Sequence, residues 1–301
     1  MEKILITGAS GLVGTRLTSL LLHRGYNVVH LVRNIPIDTV VPTYKWDIDN
    51  SYIEESALVG VDVVIHLAGA NIGEEKWTEQ RKLEIFNSRV KSAKLLLNKL
   101  KRNNHKITTY ITASAIGAYG AFAKEKIYRE EDAFANDFLG TVCKKWEAVA
   151  DDFQHWGVRV VKVRTSLVLA HSCSILEKMR SLLKYRFLPV FASGNQYMPW
   201  IDIDDLCKFY IMAVENSRIN GAYNVASSEQ IRNVDFVNTL AKIPNHKVFV
   251  IKLPAFFLNM MIGEMSKVLI SGSRVSIDRL LETGFKHDNN DFSIKRYLLT
   301  Y

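Results

Sequence analysis

Two rhythms of apolar and polar positions alternate along the first half of the chain. Lys3-Ile4-Leu5-Ile6-Thr7 is an apolar run of buried-strand length, and Asn27-Val28-Val29-His30-Leu31-Val32 is a second. Between them, Leu12, Val13, Leu17, Leu20 and Leu21 keep the period of a helix that ends near Arg24, with Gly25 placed for a C-cap. Val61 to Leu67, Ile107 to Thr112 and Val158 to Arg164 predict further strands. Residues 77–102 and about 137–156 predict long helices, and the polar stretch after Asp47 and Asp49 reads as a shorter one. Strand and helix alternate about five times, which predicts an α/β fold with a Rossmann-type doubly wound parallel sheet.

After residue 165 the pattern changes. Ile175 to Leu188 is basic and amphipathic, Pro199 to Leu206 opens another helix, and Gly221 to Ala226 is a short strand able to rejoin the sheet. Pro254 to Ile270 is rich in Phe, Leu, Met and Ile, interrupted by Glu264 and Lys267, and reads as a core helix of a small lobe, with a membrane-surface helix as the alternative. Residues 1–165 are therefore expected to form the dinucleotide-binding domain, rejoined by about 200–226. Residues 166–301 are expected to form a smaller C-terminal α/β lobe on the substrate side. No Pro- or Gly-rich linker separates the two.

The candidate chemistry begins at the first strand–helix junction. Gly8-Ala9-Ser10-Gly11-Leu12-Val13-Gly14 has the spacing Gly-x-x-Gly-x-x-Gly in a strand–turn–helix–strand context. Gly8 permits the tight turn, Gly11 admits a pyrophosphate close to the main chain, and Gly14 lets the helix approach the sheet. The pyrophosphate would sit on the free N–H groups of the helix N-terminus. The second strand ends in Arg33 and Asn34, with no acid before Asp38. An acid there would bind the ribose diol of NAD; a guanidinium suits a 2′-phosphate, so NADP is expected over NAD. Leu67, Ala68 and Gly69, where the strand after Val61 empties into small residues, are candidates for the ribose side. His66, alone in an apolar run, reads as a packed core residue.

Composition narrows the classes. With 301 residues, 48% hydrophobic and 23% charged, the chain is of ordinary globular make-up and long enough for a sizeable core. The net charge of +8 is dispersed, without the basic face and interleaved aromatics of a nucleic-acid binder. Cys143, Cys173 and Cys207 have no paired spacing, which argues against a disulfide framework or metal site and for a reducing compartment. No signal-peptide pattern and no bilayer-length apolar run is found, so cytoplasm, no membrane and a small-molecule substrate are expected.

Thr7 to Gly14, His66-Leu67-Ala68-Gly69-Ala70-Asn71 and Ser114-Ala115-Ile116-Gly117-Ala118-Tyr119-Gly120 together resemble the extended or atypical short-chain dehydrogenase/reductase superfamily. Trp77, Asn87-Ser88-Arg89, Phe138-Leu139, Trp146-Glu147, Trp200 to Asp205 and Gly284-Phe285 resemble its "epimerase family", described as nucleoside-diphosphate-sugar epimerases with a C-terminal domain of unknown function. The resemblance implies that Gly8, Ser10, Gly11, Leu12 and Val13 contact the NADP diphosphate and Arg33 the adenosine phosphate. It implies Leu67 and Ala68 at the ribose and Glu84 and Arg89 at the cofactor. It also implies a homodimer through helices 77–102 and 137–156.

The superfamily's Tyr-x-x-x-Lys pair does not carry over. Counting back from Glu147, the tyrosine position falls on Leu139 and the lysine position on Cys143. Ser114 resembles the serine that holds the substrate oxygen, whereas an ungapped match by Tyr119-Gly120 places Ala115 at that position. Two readings stay open. One is an NADP-dependent oxidoreductase or epimerase of a small hydroxyl- or carbonyl-bearing molecule, a nucleotide sugar among the choices, whose acid comes from Ser114, Tyr119, Cys143, Asp202 or Asp204. The other is a non-catalytic, redox-responsive or scaffold protein that binds NADP.

Overall fold

The computed structural model describes residues 2–120, 126–290 and 292. Its frame is an eight-stranded sheet. The strands are β1 (Lys3–Thr7), β2 (Asn27–Val32), β3 (Thr43–Asp47), β4 (Tyr52–Ile53), β5 (Val63–His66), β6 (Thr109–Ala115), β7 (Arg159–Thr165) and β8 (Gly221–Val225). Their spatial order is β8-β7-β6-β5-β1-β2-β3-β4, parallel except for the β3–β4 hairpin. The chain runs outward from β1 to β4 and then returns to place β5 on the other side of β1. The crevice at the carboxyl ends of β1 and β5 is therefore the topological switch point, where ligands bind in such sheets.

Alternation along the buried strands fills both faces. Ile4 and Ile6 join a core with Leu17 and Leu21 of helix α1 (Leu12–His23) and with Phe209 and Val214 of the helix Ile203–Glu215. Leu5 joins the opposite core with Leu96 and Leu100 of α2 (Glu79–Arg102) and Phe153 of α3 (Phe138–His155). Beyond β7, a third core holds Leu176, Leu188, Trp200, Phe236 and Leu240, packing the helices Ser174–Lys184 and Asn233–Ala241 beside the parallel strand pair Phe187–Phe191 and Phe249–Leu253. β8 pairs with β7 in parallel register, Tyr223 beside Val163.

Two expectations are corrected. The polar stretch after Asp47 is a hairpin and a single helical turn, Glu55–Leu58. The Asp47 carboxylate turns the chain by accepting hydrogen bonds from the backbone N–H groups of Asp49 and Asn50. The apolar segment from Pro254 to Ile270 is two short helices, Ala255–Ile262 and Ser266–Ile270, separated at Gly263 (φ 61°). It is not a core helix: Leu258 is buried, whereas Phe256, Phe257, Met260 and Met261 are exposed.

α2 and α3 lie side by side, and their outward positions include Lys91, Lys94, Lys144 and Lys145. Among the described residues, no helix is long and apolar enough to cross a membrane.

Candidate active site

The glycine turn is built by close backbone approach. Gly8 has φ 69°, and a Cβ on it would stand 2.7 Å from the Leu67 carbonyl carbon. A Cβ on Gly14 would stand 2.4 Å from the Gly8 oxygen. Only hydrogen fits at either position, so the β1–α1 turn rests directly on the end of β5. The Gly11 N–H donates to the Gly8 carbonyl at 3.0 Å. At the N-terminus of α1, no side chain caps the turn and no acid stands in it. Ser10 and Gly11 are exposed, Leu12 and Val13 half-buried. Backbone donors at a positive helix end, without a competing carboxylate, fit a dinucleotide diphosphate.

Across the crevice, Leu67 and Ala68 are half-buried and Gly69 is exposed. Arg33 projects from the end of β2, exposed, with no carboxylate at ion-pair distance among the described residues. Arg16, by contrast, is neutralised by Asp204 at 2.5 Å. Glu84 is turned to Arg81, whose Nη1 donates to it at 2.7 Å, and it does not line the crevice. Arg89 does. Its guanidinium lies over the Trp146 ring at 5.4 Å and within 2.9 Å of the place a Gly69 Cβ would take. Burial lowers its pKa to about 10, which leaves it cationic at neutral pH. His66 is a core residue: fully buried, it bonds Thr7 at 2.7 Å and Ser92 at 3.1 Å, and burial holds its pKa down to about 3.

The crevice opens into a cavity of about 590 Å³ between the sheet and the C-terminal lobe. Leu139, Cys143 and Glu147 are spaced at successive turns of α3 and share one of its faces. Leu139 and Cys143 line the cavity together with Ser114. Glu147 lies just behind, accepting a hydrogen bond from the Ser114 hydroxyl at 2.7 Å. Arg164 of β7 clamps Glu147 with two bonds, Nε to Oε1 at 2.8 Å and Nη2 to Oε2 at 2.9 Å. The Cys143 thiol points at the Ala115 carbonyl, 3.8 Å away, and burial pushes its pKa up to about 12.

Of the three catalytic candidates, the structure brings Ser114 and Cys143 to the cavity and sets Tyr119 apart. The Tyr119 ring is 2% exposed; its hydroxyl donates to Asn224 at 2.6 Å and accepts from Arg164 at 2.9 Å. Burial first of all pushes this phenol up to about 12, and Tyr119 is not among the residues lining the cavity. Asp202 caps its helix by accepting from the Asp204 N–H at 2.7 Å. The Arg164–Glu147 clamp and its extension through Asn224 to Glu130 were not legible as a site. In the sequence Glu147 only marks the register of the resembled motif, and Arg164 is the end of the run Val158 to Arg164.

The open glycine turn at the switch point, joined to a serine-floored cavity, defines a nicotinamide-dinucleotide enzyme of the short-chain dehydrogenase/reductase type. The profile of the NAD dependent epimerase/dehydratase family matches residues 4–226, and a domain of unknown function (DUF1731) matches residues 253–291. The chain belongs to the NAD dependent epimerase/dehydratase family. It is 30% identical to the epimerase family protein YfhF of Bacillus subtilis, over 96% of this chain and 95% of that protein. An epimerase family protein of Mycobacterium leprae is 27% identical, over 95% and 92% of the two chains. Among solved structures, the human epimerase family protein SDR39U1 with NADPH superposes at a TM-score of 0.83, with 24% identity and 96% of each chain covered. The nucleoside-diphosphate sugar epimerase of Corynebacterium glutamicum gives 0.78 and 28%, covering 99% of this chain and 57% of that one.

Proposed function

We propose that the chain is an NADP-dependent oxidoreductase or epimerase that moves hydride to or from a small hydroxyl- or carbonyl-bearing molecule, with Ser114 handling the substrate oxygen. The observation that carries this reading is the Ser114–Glu147 hydrogen bond of 2.7 Å at the cavity floor. Because the Ser114 proton points to Glu147, the lone pairs of Oγ face the cavity and can accept a hydrogen bond from a substrate hydroxyl. Glu147, clamped by Arg164, fixes that orientation, so Ser114 positions the substrate oxygen for hydride transfer. The nicotinamide, when bound, supplies the hydride acceptor or donor. Arg89, cationic beside Gly69, offers a positive charge on the cofactor side of the crevice.

NADP is preferred over NAD in this reading because Arg33 is exposed and unneutralised where a 2′-phosphate would lie, and because the human relative holds NADPH. Gly8, Ser10, Gly11, Leu12, Val13 and Gly14 hold the diphosphate; Leu67, Ala68 and Gly69 line the ribose. Glu84, paired with Arg81, acts by steadying the start of α2. The test is turnover of NADPH by the wild-type protein and Ser114→Ala over a panel of carbonyl compounds. Ser114→Ala should lose most of the rate, about 100-fold or more, with NADPH affinity unchanged. Equal rates would contradict the role given to Ser114.

A further inference from the structure

We infer that the substrate half of the cavity takes an uncharged, largely apolar molecule with a single carbonyl or hydroxyl group, and not a nucleoside-diphosphate sugar. The inference rests on the hydride-transfer reading above and names the class of compound the same site accepts.

Away from the glycine turn, the walls are set by Leu139, Ile175, Phe191, Met198, Pro199 and Leu269. They come from α3, the C-terminal lobe and the helix Ser266–Ile270, so the apolar character is common to three separate walls. A diphosphate placed among them would need cations or several free N–H donors, because a buried anion without partners costs far more than its contacts return. Among the described residues, Arg89 is the single charged side chain lining the cavity, and it lies at Gly69, on the cofactor side. Arg232 and Arg274 pack on the ring of Tyr197, at 5.4 and 4.9 Å from its centroid, and neither lines the cavity.

Four polar side chains of the wall, Asn233, Ser273, Ser166 and Asn71, are already engaged with the protein. Asn233 accepts from the Phe191 N–H at 2.9 Å and turns its amide nitrogen to the Met198 sulfur. Ser273 donates to the Gly120 carbonyl at 3.2 Å, and Ser166 to the Val225 carbonyl at 3.0 Å. Asn71 accepts from the Gly73 N–H at 3.0 Å. A sugar with several hydroxyls would find few groups to answer it, whereas one oxygen aimed at Ser114 is served by a lone pair whose direction Glu147 fixes. Medium-chain or aromatic aldehydes and ketones, or the matching alcohols, fit this distribution.

The experiment is a binding measurement on the NADP-loaded protein, so it does not depend on turnover. The uncharged fluorophore phenylnaphthylamine is titrated in, then displaced with octanal, acetophenone or UDP-glucose. Phenylnaphthylamine should bind with blue-shifted emission, the two carbonyl compounds should displace it, and UDP-glucose should not. Met198→Lys and Leu269→Arg, both at half-buried positions, should each weaken the fluorophore by about tenfold or more while NADP binding and the circular dichroism spectrum are retained. Displacement by the carbonyl compounds, with none of them reduced when NADPH is supplied in place of NADP, would remove the hydride-transfer reading and leave this inference standing. Failure of the fluorophore to bind, unchanged binding in both variants, or displacement by UDP-glucose would overturn it.

Discussion

Glu147 and Arg164 form a two-bond ion pair, 2.8 and 2.9 Å, with side chains 3% and 4% exposed. The pair ties α3 to β7 directly behind the cavity. Through Glu147 it sets the Ser114 hydroxyl, and through Arg164 it holds the Tyr119 phenol and the Glu130 carbonyl. A pair this deeply buried is weak evidence for net stability, but removing one member strands the other charge.

Glu147→Ala should therefore lower unfolding stability by about 3–5 kcal/mol, read from urea midpoints at neutral pH. Ser114→Ala, which leaves the ion pair intact, should lose about 1 kcal/mol. A Glu147→Ala protein as stable as wild type would mean that the guanidinium finds another partner or water.

Much of the fold was legible because the signals are local. The bounds of β1, β2 and the start of α1 follow from strand runs meeting a glycine turn, and Gly25, with φ 82°, closes the helix where expected. Leu139 and Cys143 are reached by counting back from Glu147 along the motif the sequence resembles, and helix geometry puts all three on one face. What was not legible depends on long-range partners. Tyr119 stands among the acid candidates in the sequence, and only its bond to Asn224, distant in sequence, shows where its hydroxyl is held. β3 and β4 are short and mixed in polarity, and their hairpin rests on the Asp47 turn. The helix Ala255–Ile262 is apolar enough for a core, and only the folded arrangement shows that four of its large side chains face outward.

The glycine turn makes a steric prediction. Gly14→Ala places a methyl group 2.4 Å from the Gly8 oxygen and 2.7 Å from the Ala9 Cα, both backbone atoms that cannot yield cheaply. The variant should lose about 1–3 kcal/mol of stability and most of its NADP affinity, since α1 must retreat from the turn. Thermal melts with and without NADP check it: the ligand-induced rise in Tm of the wild type should shrink or vanish.

His66 predicts the acid limb of stability. Burial depresses its folded pKa from 6.5 to about 3, so the folded protein keeps the ring neutral while the unfolded chain takes up a proton below pH 6.5. Stability from this residue is complete above pH 6.5 and is lost as the pH falls toward the folded value, by about 1.4 kcal/mol per pH unit. Urea midpoints between pH 7.5 and pH 5 in the wild type and His66→Gln should differ in slope by about one proton. Parallel slopes would show that His66 titrates normally in the fold.

The central claim is that Arg33 selects NADP at the open glycine turn, and calorimetric titration of the wild type and Arg33→Ala with NADP and with NAD tests it most directly. NADP should bind the wild type more tightly than NAD, and Arg33→Ala should cost about 1–3 kcal/mol for NADP and little for NAD. Equal losses for both dinucleotides, or tighter binding of NAD to the wild type, would contradict the account.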